Sequence, residues 1–185
     1  MRIPKQAKRV FKGVIFDVYQ WPQKMFDGSY ETFEMLKRQG AVQVIPVTGN
    51  KILINKQRQP NHKKFYYSFF GGRMDKKGES PLQTAKRELL EESGYTSNQW
   101  IFYKKYQPHP KFDWTVYFYI ALDCKKINKQ NLDKGEKINI ISLSFDEFID
   151  TVIKQDFFAK DFVLDVLKLK LKGKLNQFKK QLFKK

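Results

Sequence analysis

Residues 71–95 read GGRMDKKGESPLQTAKRELLEESGY, and this stretch decides the fold. Its middle part predicts a helix, because Ser80 carries a hydroxyl that can cap a helix N-terminus, Pro81 suits the first helical position and Gln83 completes a capping box. Gly94 readily takes the left-handed conformation in which helices commonly end. The sequence therefore predicts a glycine-containing loop followed by one well-capped helix.

Three glutamates crowd one side of this helix. Glu88 and Glu92 are four residues apart on one face, and Glu91 lies beside them. Like charges at this spacing destabilise a helix, whereas a bound divalent cation would offset their repulsion. Oxygen ligands without nearby His or Cys favour Mg²⁺ or Mn²⁺ over zinc. A solvated acidic helix face is the alternative, and the three glutamates alone leave both open.

The spacing of these residues resembles the signature of the Nudix hydrolases, G-x5-E-x7-R-E-U-x-E-E-x-G-U, in which U is apolar. Residues 79–95 match it from the first glutamate to the final position, which is Tyr95. Six residues separate Gly72 from Glu79, one more than in the signature. An insertion there alters the turn without removing a ligand, but it leaves the position of Glu79 open.

The resemblance implies a fold, a reaction and a cofactor. The fold is α/β, an α/β/α sandwich around a mixed β-sheet, and the reaction is hydrolysis of a nucleoside diphosphate linked to another moiety. Mg²⁺ or Mn²⁺ is held between the glutamate-rich helix and the preceding loop. By matching position, the resemblance assigns the metal ligands and catalytic carboxylates to Glu88, Glu91 and Glu92, the loop ligand to the backbone carbonyl of Gly71, and supporting roles to Glu79 and Arg87.

Shorter matches outside the signature are similar to the ADP-ribose pyrophosphatase-like branch of this family. Arg58, in the segment LINKQRQP, becomes a candidate for binding a substrate phosphate. Pro110 falls fifteen residues after Tyr95, where this branch favours a proline. Glu136 lies in a late loop that carries a base or an extra metal ligand, with Asp113 as the reserve. The implied reaction converts ADP-ribose to AMP and ribose 5-phosphate.

Aromatic residues supply further candidates for substrate contact. The run FYYSFF at residues 65–70 predicts a short strand with one face in the core. Tyr67 could stack on a nucleotide base from the other face, and core packing is the alternative. Trp21 and Phe26 could line a nucleoside pocket across a dimer interface. A homodimer is what the resemblance implies.

The chain divides by pattern into three parts. Residues 1–40 predict an N-terminal antiparallel β-hairpin region, with strands at 9–20 and 29–37 on either side of Asp27-Gly28. Residues 41–160 form the catalytic domain. Residues 161–185 predict a basic amphipathic helix, broken at Gly173, whose apolar positions recur at helical spacing: Leu164, Leu167, Leu171, Leu175, Phe178 and Leu182.

The charge of the chain supports a second class of function. It contains 36 Lys and Arg against 19 Asp and Glu, a formal net charge of +17. This excess attracts polyanions, although codon bias is an equally good explanation. The alternative function is therefore a nucleic-acid-associated Nudix protein, either a decapping-like enzyme or a module that binds RNA or DNA through its basic tail. The competing interpretation is that the apolar face of the tail covers the core of its own domain or a second copy of the chain.

The cysteine count and the length of the apolar runs indicate in which cellular compartment the protein is expected. Cys124 is the single cysteine, so no intrachain disulfide can form. Its position after an apolar run predicts a packed thiol, which argues against an isomerase of isoprenoid diphosphates, since that enzyme needs a catalytic cysteine. No apolar run is long enough to cross a bilayer, and the N-terminus does not resemble a secretory signal. We expect a cytoplasmic protein without a membrane span.

Overall fold

The computed structural model describes residues 2–183. The strands are β1 (Lys8–Lys12), β2 (Asp17–Lys24), β3 (Tyr30–Lys37), β4 (Ala41–Thr48), β5 (Lys51–Arg58), β6 (Tyr66–Ser68), β7 (Tyr95–Thr96), β8 (Gln99–Tyr106), β9 (Phe112–Asp113), β10 (Val116–Leu122), β11 (Lys125–Lys126) and β12 (Lys137–Leu143). The helices are α1 (Pro81–Ser93), α2 (Phe145–Lys154), α3 (Lys160–Leu171) and α4 (Leu175–Leu182).

The central sheet is mixed and lies between two helical layers. Its strands run in the order β12-β5-β4-β10-β8, with β6 beside β5. The β4–β10 pair is parallel and the other pairs are antiparallel. α1 packs on one face over Val44 and Leu53, while α2, α3 and α4 pack on the other over Ile45 and Ile54. This is the α/β/α sandwich that the resemblance implied.

The N-terminal strands form a second, four-stranded sheet in the order β1-β2-β3-β9. The predicted hairpin is present, since β2 and β3 pair in antiparallel register around a turn in which Gly28 has φ 88°. The strand predicted over 9–20 is wrong, because residues 13–16 interrupt it and the chain reverses there. β9 pairs in parallel with β3, so the segment after β8 also contributes to this sheet.

The C-terminal segment forms two helices rather than one. Gly173 lies between α3 and α4 with φ 64°, as the break predicted at this residue requires. Phe178 and Leu182 are buried as predicted, but Leu164 and Leu171 are 54% and 87% exposed, so the predicted stripe is wrong for α3. Phe162 faces the core instead, because its ring packs 4.9 Å from that of Phe69. None of the helices within residues 2–183 combines the length and the apolar character that spanning a membrane requires.

Candidate active site

α1 is held by caps at both ends and by buried apolar residues beside its glutamates. Ser80 Oγ accepts a hydrogen bond from the backbone N–H of Gln83, and the Gln83 side chain accepts one from the Ser80 N–H, so the predicted capping box is present. Gly94 ends the helix with φ 74°, also as predicted. Ala85 and Leu89 are fully buried against the sheet. The carboxylate-bearing side of α1 is therefore held in a fixed position.

The loop at Gly71 and Gly72 lies directly against the carboxylates of α1. The Gly71 N–H donates a 2.7 Å hydrogen bond to Glu92 Oε2. Gly71 has φ 141°, and a Cβ there would lie 2.1 Å from the carbonyl oxygen of Val42. A Cβ at Gly72 would lie 2.6 Å from the carboxyl carbon of Glu88. Gly71 is therefore required for the close approach of the loop to β4, and a side chain at residue 72 would displace the Glu88 carboxylate.

Arg87 is the main positive charge among these carboxylates. Its Nε donates to Glu79 Oε1 at 3.2 Å, and its Nη1 donates to Glu88 Oε1 at 2.8 Å and to Glu91 Oε2 at 2.9 Å. Arg87 and Glu91 have the four-residue spacing at which side chains meet on one face of a helix. Glu79 also accepts a hydrogen bond from Thr84 Oγ1. The extra loop residue has therefore not moved Glu79 away from Arg87.

Burial dominates the electrostatics of the two inner glutamates. Glu92 is 5% exposed, and burial raises its pKa well above the usual range, against the lowering effect of the Gly71 hydrogen bond. Burial likewise raises the pKa of Glu88 to about 7, against the lowering effect of Arg87. The charge of Glu136 raises both pKa values further. In the absence of a cation, these carboxylates therefore hold protons more tightly than exposed ones do.

The glutamates are not already arranged as a metal cluster. Within residues 2–183, no three carboxylate, imidazole or thiol side chains are grouped in a way that could hold an ion. Arg87 instead engages Glu88 and Glu91. The donor set nevertheless fits a hard divalent cation, because it offers carboxylate oxygens with raised pKa values beside a loop whose glycine leaves room next to Glu88.

Glu136 lies in the turn before β12, near the carboxylates of α1. Its own carboxylate accepts a hydrogen bond from the Asp133 N–H at 3.2 Å, and its pKa is raised, chiefly by burial and also by the charges of Asp133 and Glu91. The preceding segment is tied to α1, because the Asn131 N–H donates to the Glu91 carbonyl at 2.8 Å. The structure thus brings Glu136 close to the glutamates, as the sequence interpretation expected.

Two polar side chains near Glu92 were missed by the sequence interpretation. Asn55 is fully buried, donates to the Phe69 carbonyl, and lowers the pKa of Glu92 through a side-chain hydrogen bond. Its Oδ1 has no partner among the described residues. Gln130 donates to the Glu92 carbonyl at 2.7 Å. For Asn55, the available signal was a polar residue at the end of the apolar run ILI.

The other predicted substrate residues lie in different places. Arg58 lines a groove that Glu136 also lines, and its guanidinium lies 5.4 Å from the Phe65 ring. Tyr67 packs against the core under α2 and α3, on the face of the sheet opposite α1. Pro110 lies between β8 and β9, towards the N-terminal sheet. The structure therefore brings Arg58 towards the carboxylates, but not Tyr67 or Pro110.

The remaining candidates are also located. Asp113 lies in β9, where its backbone carbonyl accepts a hydrogen bond from the Arg38 N–H. Trp21 is buried in the N-terminal sheet, whereas Phe26 is fully exposed at the β2–β3 turn. Cys124 is buried, as predicted, and burial raises the pKa of its thiol to about 12. A thiol in this state is inert, which removes the cysteine that an isomerase would require.

A glutamate-rich helix facing a glycine loop, within an α/β/α sandwich, defines a class of hydrolases that act on phosphoanhydrides. The sequence profile of the NUDIX domain matches residues 37–165, which is more than half of the chain, and the chain therefore belongs to the Nudix family. It is a Nudix hydrolase, as the signature indicated.

Full-length relatives place the chain within the family. It is 29% identical over 173 residues to the methanol dehydrogenase activator of Bacillus methanolicus, covering 92% of this chain and 93% of that protein. It is 27% identical over 171 residues to the ADP-ribose pyrophosphatase of Bacillus subtilis (strain 168), covering 91% and 92%. A crystal structure of an ADP compounds hydrolase superposes with a TM-score of 0.73 at 22% identity, covering 92% of this chain and 95% of that one, and confirms the fold.

Proposed function

We propose that the protein is a Mg²⁺- or Mn²⁺-dependent hydrolase of the diphosphate bond in nucleoside diphosphate-linked compounds, with ADP-ribose as its substrate. The observation that carries the proposal is the placement of buried Glu92 and partly buried Glu88 against the Gly71–Gly72 loop. The similarity over more than nine-tenths of the chain to an ADP-ribose pyrophosphatase supports this choice of substrate. The products are AMP and ribose 5-phosphate.

The glutamates and the loop would hold the cation. Glu88, Glu91 and Glu92 supply carboxylate oxygens, and Gly71 supplies its backbone carbonyl. When bound, the cation neutralises phosphate charge and activates a water molecule. Arg87 keeps the carboxylates oriented, since its guanidinium contacts Glu88 and Glu91 at 2.8 and 2.9 Å.

The remaining groups act on the substrate and on the attacking water. The water oxygen attacks one phosphorus of the diphosphate, the bridging P–O bond breaks, and the second phosphate leaves with the bond's electrons. Glu136 accepts the proton of this water, a role that suits a carboxylate whose pKa is raised. Arg58 binds a phosphate oxygen through its guanidinium. Arg58 and Glu136 line the same groove.

The test is the substitution Glu92→Gln, which keeps the shape of the side chain and removes its charge. We expect AMP release from ADP-ribose with Mg²⁺, followed by chromatography, to fall by at least a hundredfold, with an unchanged circular dichroism spectrum. Glu31→Gln, at an exposed position of β3, is the matched control and should retain full activity. Turnover by Glu92→Gln within twofold of the wild type would contradict the proposed function.

A homodimer formed through the N-terminal sheet is a further part of the proposal. Val10, Phe11 and Val14 are 53%, 59% and 97% exposed on or beside β1, and Phe26 is fully exposed. β1 is an edge strand, and exposed apolar side chains along an edge strand favour pairing with a second chain. Sedimentation equilibrium should give the mass of two chains, and a monomer at micromolar concentration would contradict the dimer.

Binding of nucleic acid through the C-terminal helices is the second candidate. Lys168, Lys170, Lys172 and Lys174 are exposed within one short stretch of α3 and the turn that follows it. Truncation cannot test this candidate, because α4 buries Phe178 and Leu182 in the core. Replacing the four lysines by glutamine is the suitable test. Loss of a salt-dependent affinity for RNA, with hydrolysis intact, would support this second function.

A further inference from the structure

A concave groove lies beside the carboxylates, between the end of β5 and the turn before β12. Its volume is about 530 Å³. The cationic residues Arg58, Lys63, Lys134 and Lys137 line it, and Glu136 is the acidic residue in its lining. The lining also includes Pro60, and a Cβ at Gly135 would lie 3.9 Å from its ring, so the two walls of the groove approach one another.

The lysines of this groove form no ion pair with any residue that the structure describes. Among residues 2–183, no carboxylate forms an ion pair with Lys63, Lys134 or Lys137. Lysines elsewhere do pair, as Lys154 does with Asp150 at 2.8 Å. The groove therefore carries a concentrated positive charge that no other part of the described chain neutralises.

The strand register adds an independent observation. Lys137 stands directly opposite Arg58 in the antiparallel β5–β12 pair. Like charges in this position destabilise a sheet, and an oppositely charged residue would remove the repulsion. Both residues line the groove, at the end of the strand pair. An anion bound there would turn this repulsion into two favourable contacts.

The groove adjoins the site of hydrolysis. Glu136 lines the groove, and it is close enough to Glu88 and Glu92 for its charge to act on both carboxylates. A substrate whose diphosphate lies at these glutamates can therefore reach the groove with its next group. A groove of this volume accommodates a sugar phosphate.

We propose that this groove binds a phosphate group of the substrate beyond the diphosphate that is cut, and so makes the enzyme prefer a nucleotide with an additional phosphate. The proposal rests on the proposed function. A phosphate monoester carries close to two negative charges near pH 7, which matches the paired cations Arg58 and Lys137 and the nearby Lys63. The additional phosphate lies on the terminal ribose or on the adenosine ribose, and these two sources are compared directly.

The experiment measures kcat/KM with Mg²⁺ for three compounds: ADP-ribose, ADP-ribose phosphorylated on the terminal ribose, and ADP-ribose phosphorylated on the adenosine ribose. We expect kcat/KM for one phosphorylated compound to exceed that for ADP-ribose by about tenfold, which is the effect of one or two charge-assisted contacts. The variant Lys63→Gln/Lys137→Gln should reduce this ratio to about one. Because the ratio compares kcat/KM for two compounds with the same protein, it corrects for any general loss of activity. Thermal unfolding of the variant verifies that it is folded.

The matched control is Lys125→Gln/Lys126→Gln, which removes the same charge from exposed positions of β11. It should leave the ratio unchanged. A wild-type ratio of one or less for both phosphorylated compounds would overturn the proposal, as would an equal ratio in the groove variant. An equal fall of the ratio in the control variant would also overturn it, because the effect would then come from net charge alone.

Failure of the proposed function gives a different result, in which wild-type protein cuts none of the three compounds. The groove is then tested by calorimetry with inorganic tripolyphosphate. Affinity at least tenfold weaker in the Lys63→Gln/Lys137→Gln variant than in the control supports the groove, and equal affinity overturns it. If RNA binding falls in the groove variant while tripolyphosphate binding does not, the groove belongs to a nucleic-acid surface and the proposal is wrong.

Discussion

Replacing Glu88 by glutamine should stabilise the metal-free protein at alkaline pH. Glu88 is 13% exposed, and burial raises the pKa of its carboxyl from 4.5 to about 7 in spite of the contact with Arg87. Ionising this group in the folded protein is therefore unfavourable. Glutamine has the same shape and no charge, so the variant avoids this cost when the cation is absent.

The size of the effect follows from the two pKa values. Between pH 4.5 and about 7, folded Glu88 keeps a proton that the unfolded chain releases, so the free energy of unfolding falls as the pH rises. A difference of roughly 2.5 pKa units corresponds to about 3 kcal/mol at 1.36 kcal/mol per unit. Glutamine also weakens the contact with Arg87, which offsets part of the gain. We expect a net stabilisation of about 1–2 kcal/mol at pH 8.5 and none at pH 4.5.

The assay is urea unfolding in EDTA at pH 4.5 and pH 8.5, followed by circular dichroism. Wild type, Glu88→Gln and the exposed control Glu31→Gln are compared, and the control should have the same free energy of unfolding as the wild type at each pH. Addition of Mg²⁺ at pH 8.5 should stabilise the wild type more than Glu88→Gln, because the cation then occupies the site. If the Glu88→Gln variant were less stable than the wild type by the same amount at both pH values, the reasoning would be refuted.

Two further predictions concern single positions. Gly72→Ala should raise the Mg²⁺ concentration needed for half-maximal activity by at least tenfold with the fold intact. The reason is that a Cβ at this position would lie 2.6 Å from the carboxyl carbon of Glu88. An unchanged Mg²⁺ dependence would mean that the loop moves and the carboxylate does not. Cys124 should not react with a thiol reagent at pH 8 until urea unfolds the chain, because the thiol is buried and its pKa is raised to about 12. Rapid labelling of the native protein would contradict this burial.

α1 was predictable because its signals are local. The cap at Ser80, the proline after it and the left-handed Gly94 act within a few residues of the helix ends, and the structure has all three. The same is true of α2, whose capping box joins Ser144 and Glu147. The positions of the three glutamates follow from the helix, so the core of the candidate site was predictable with it.

Features that depend on tertiary packing were not predictable in this way. Helical spacing placed Leu164 and Leu171 in the core, but Phe162 occupies the space under α3 because several aromatic rings meet there. Strand alternation left either face open to Tyr67, and packing against α2 and α3 directs it away from the glutamates. The groove at Arg58 exists only because β12 pairs with β5, a contact between residues far apart in the chain.

The structure suggests how the chain tolerates an acidic cluster that local physics disfavours. Glu88, Glu91 and Glu79 share the single guanidinium of Arg87, and Glu92 relies on the N–H of Gly71. These contacts do not offset the burial of Glu88 and Glu92, which raises the pKa of both carboxyls. The caps and the buried face of α1 offset the cost of these carboxylates and hold the helix in place without a cation. Because the helix is fixed, its carboxylates stay close together, and a divalent ion that arrives with a phosphate-bearing substrate can bind them without rearranging the helix.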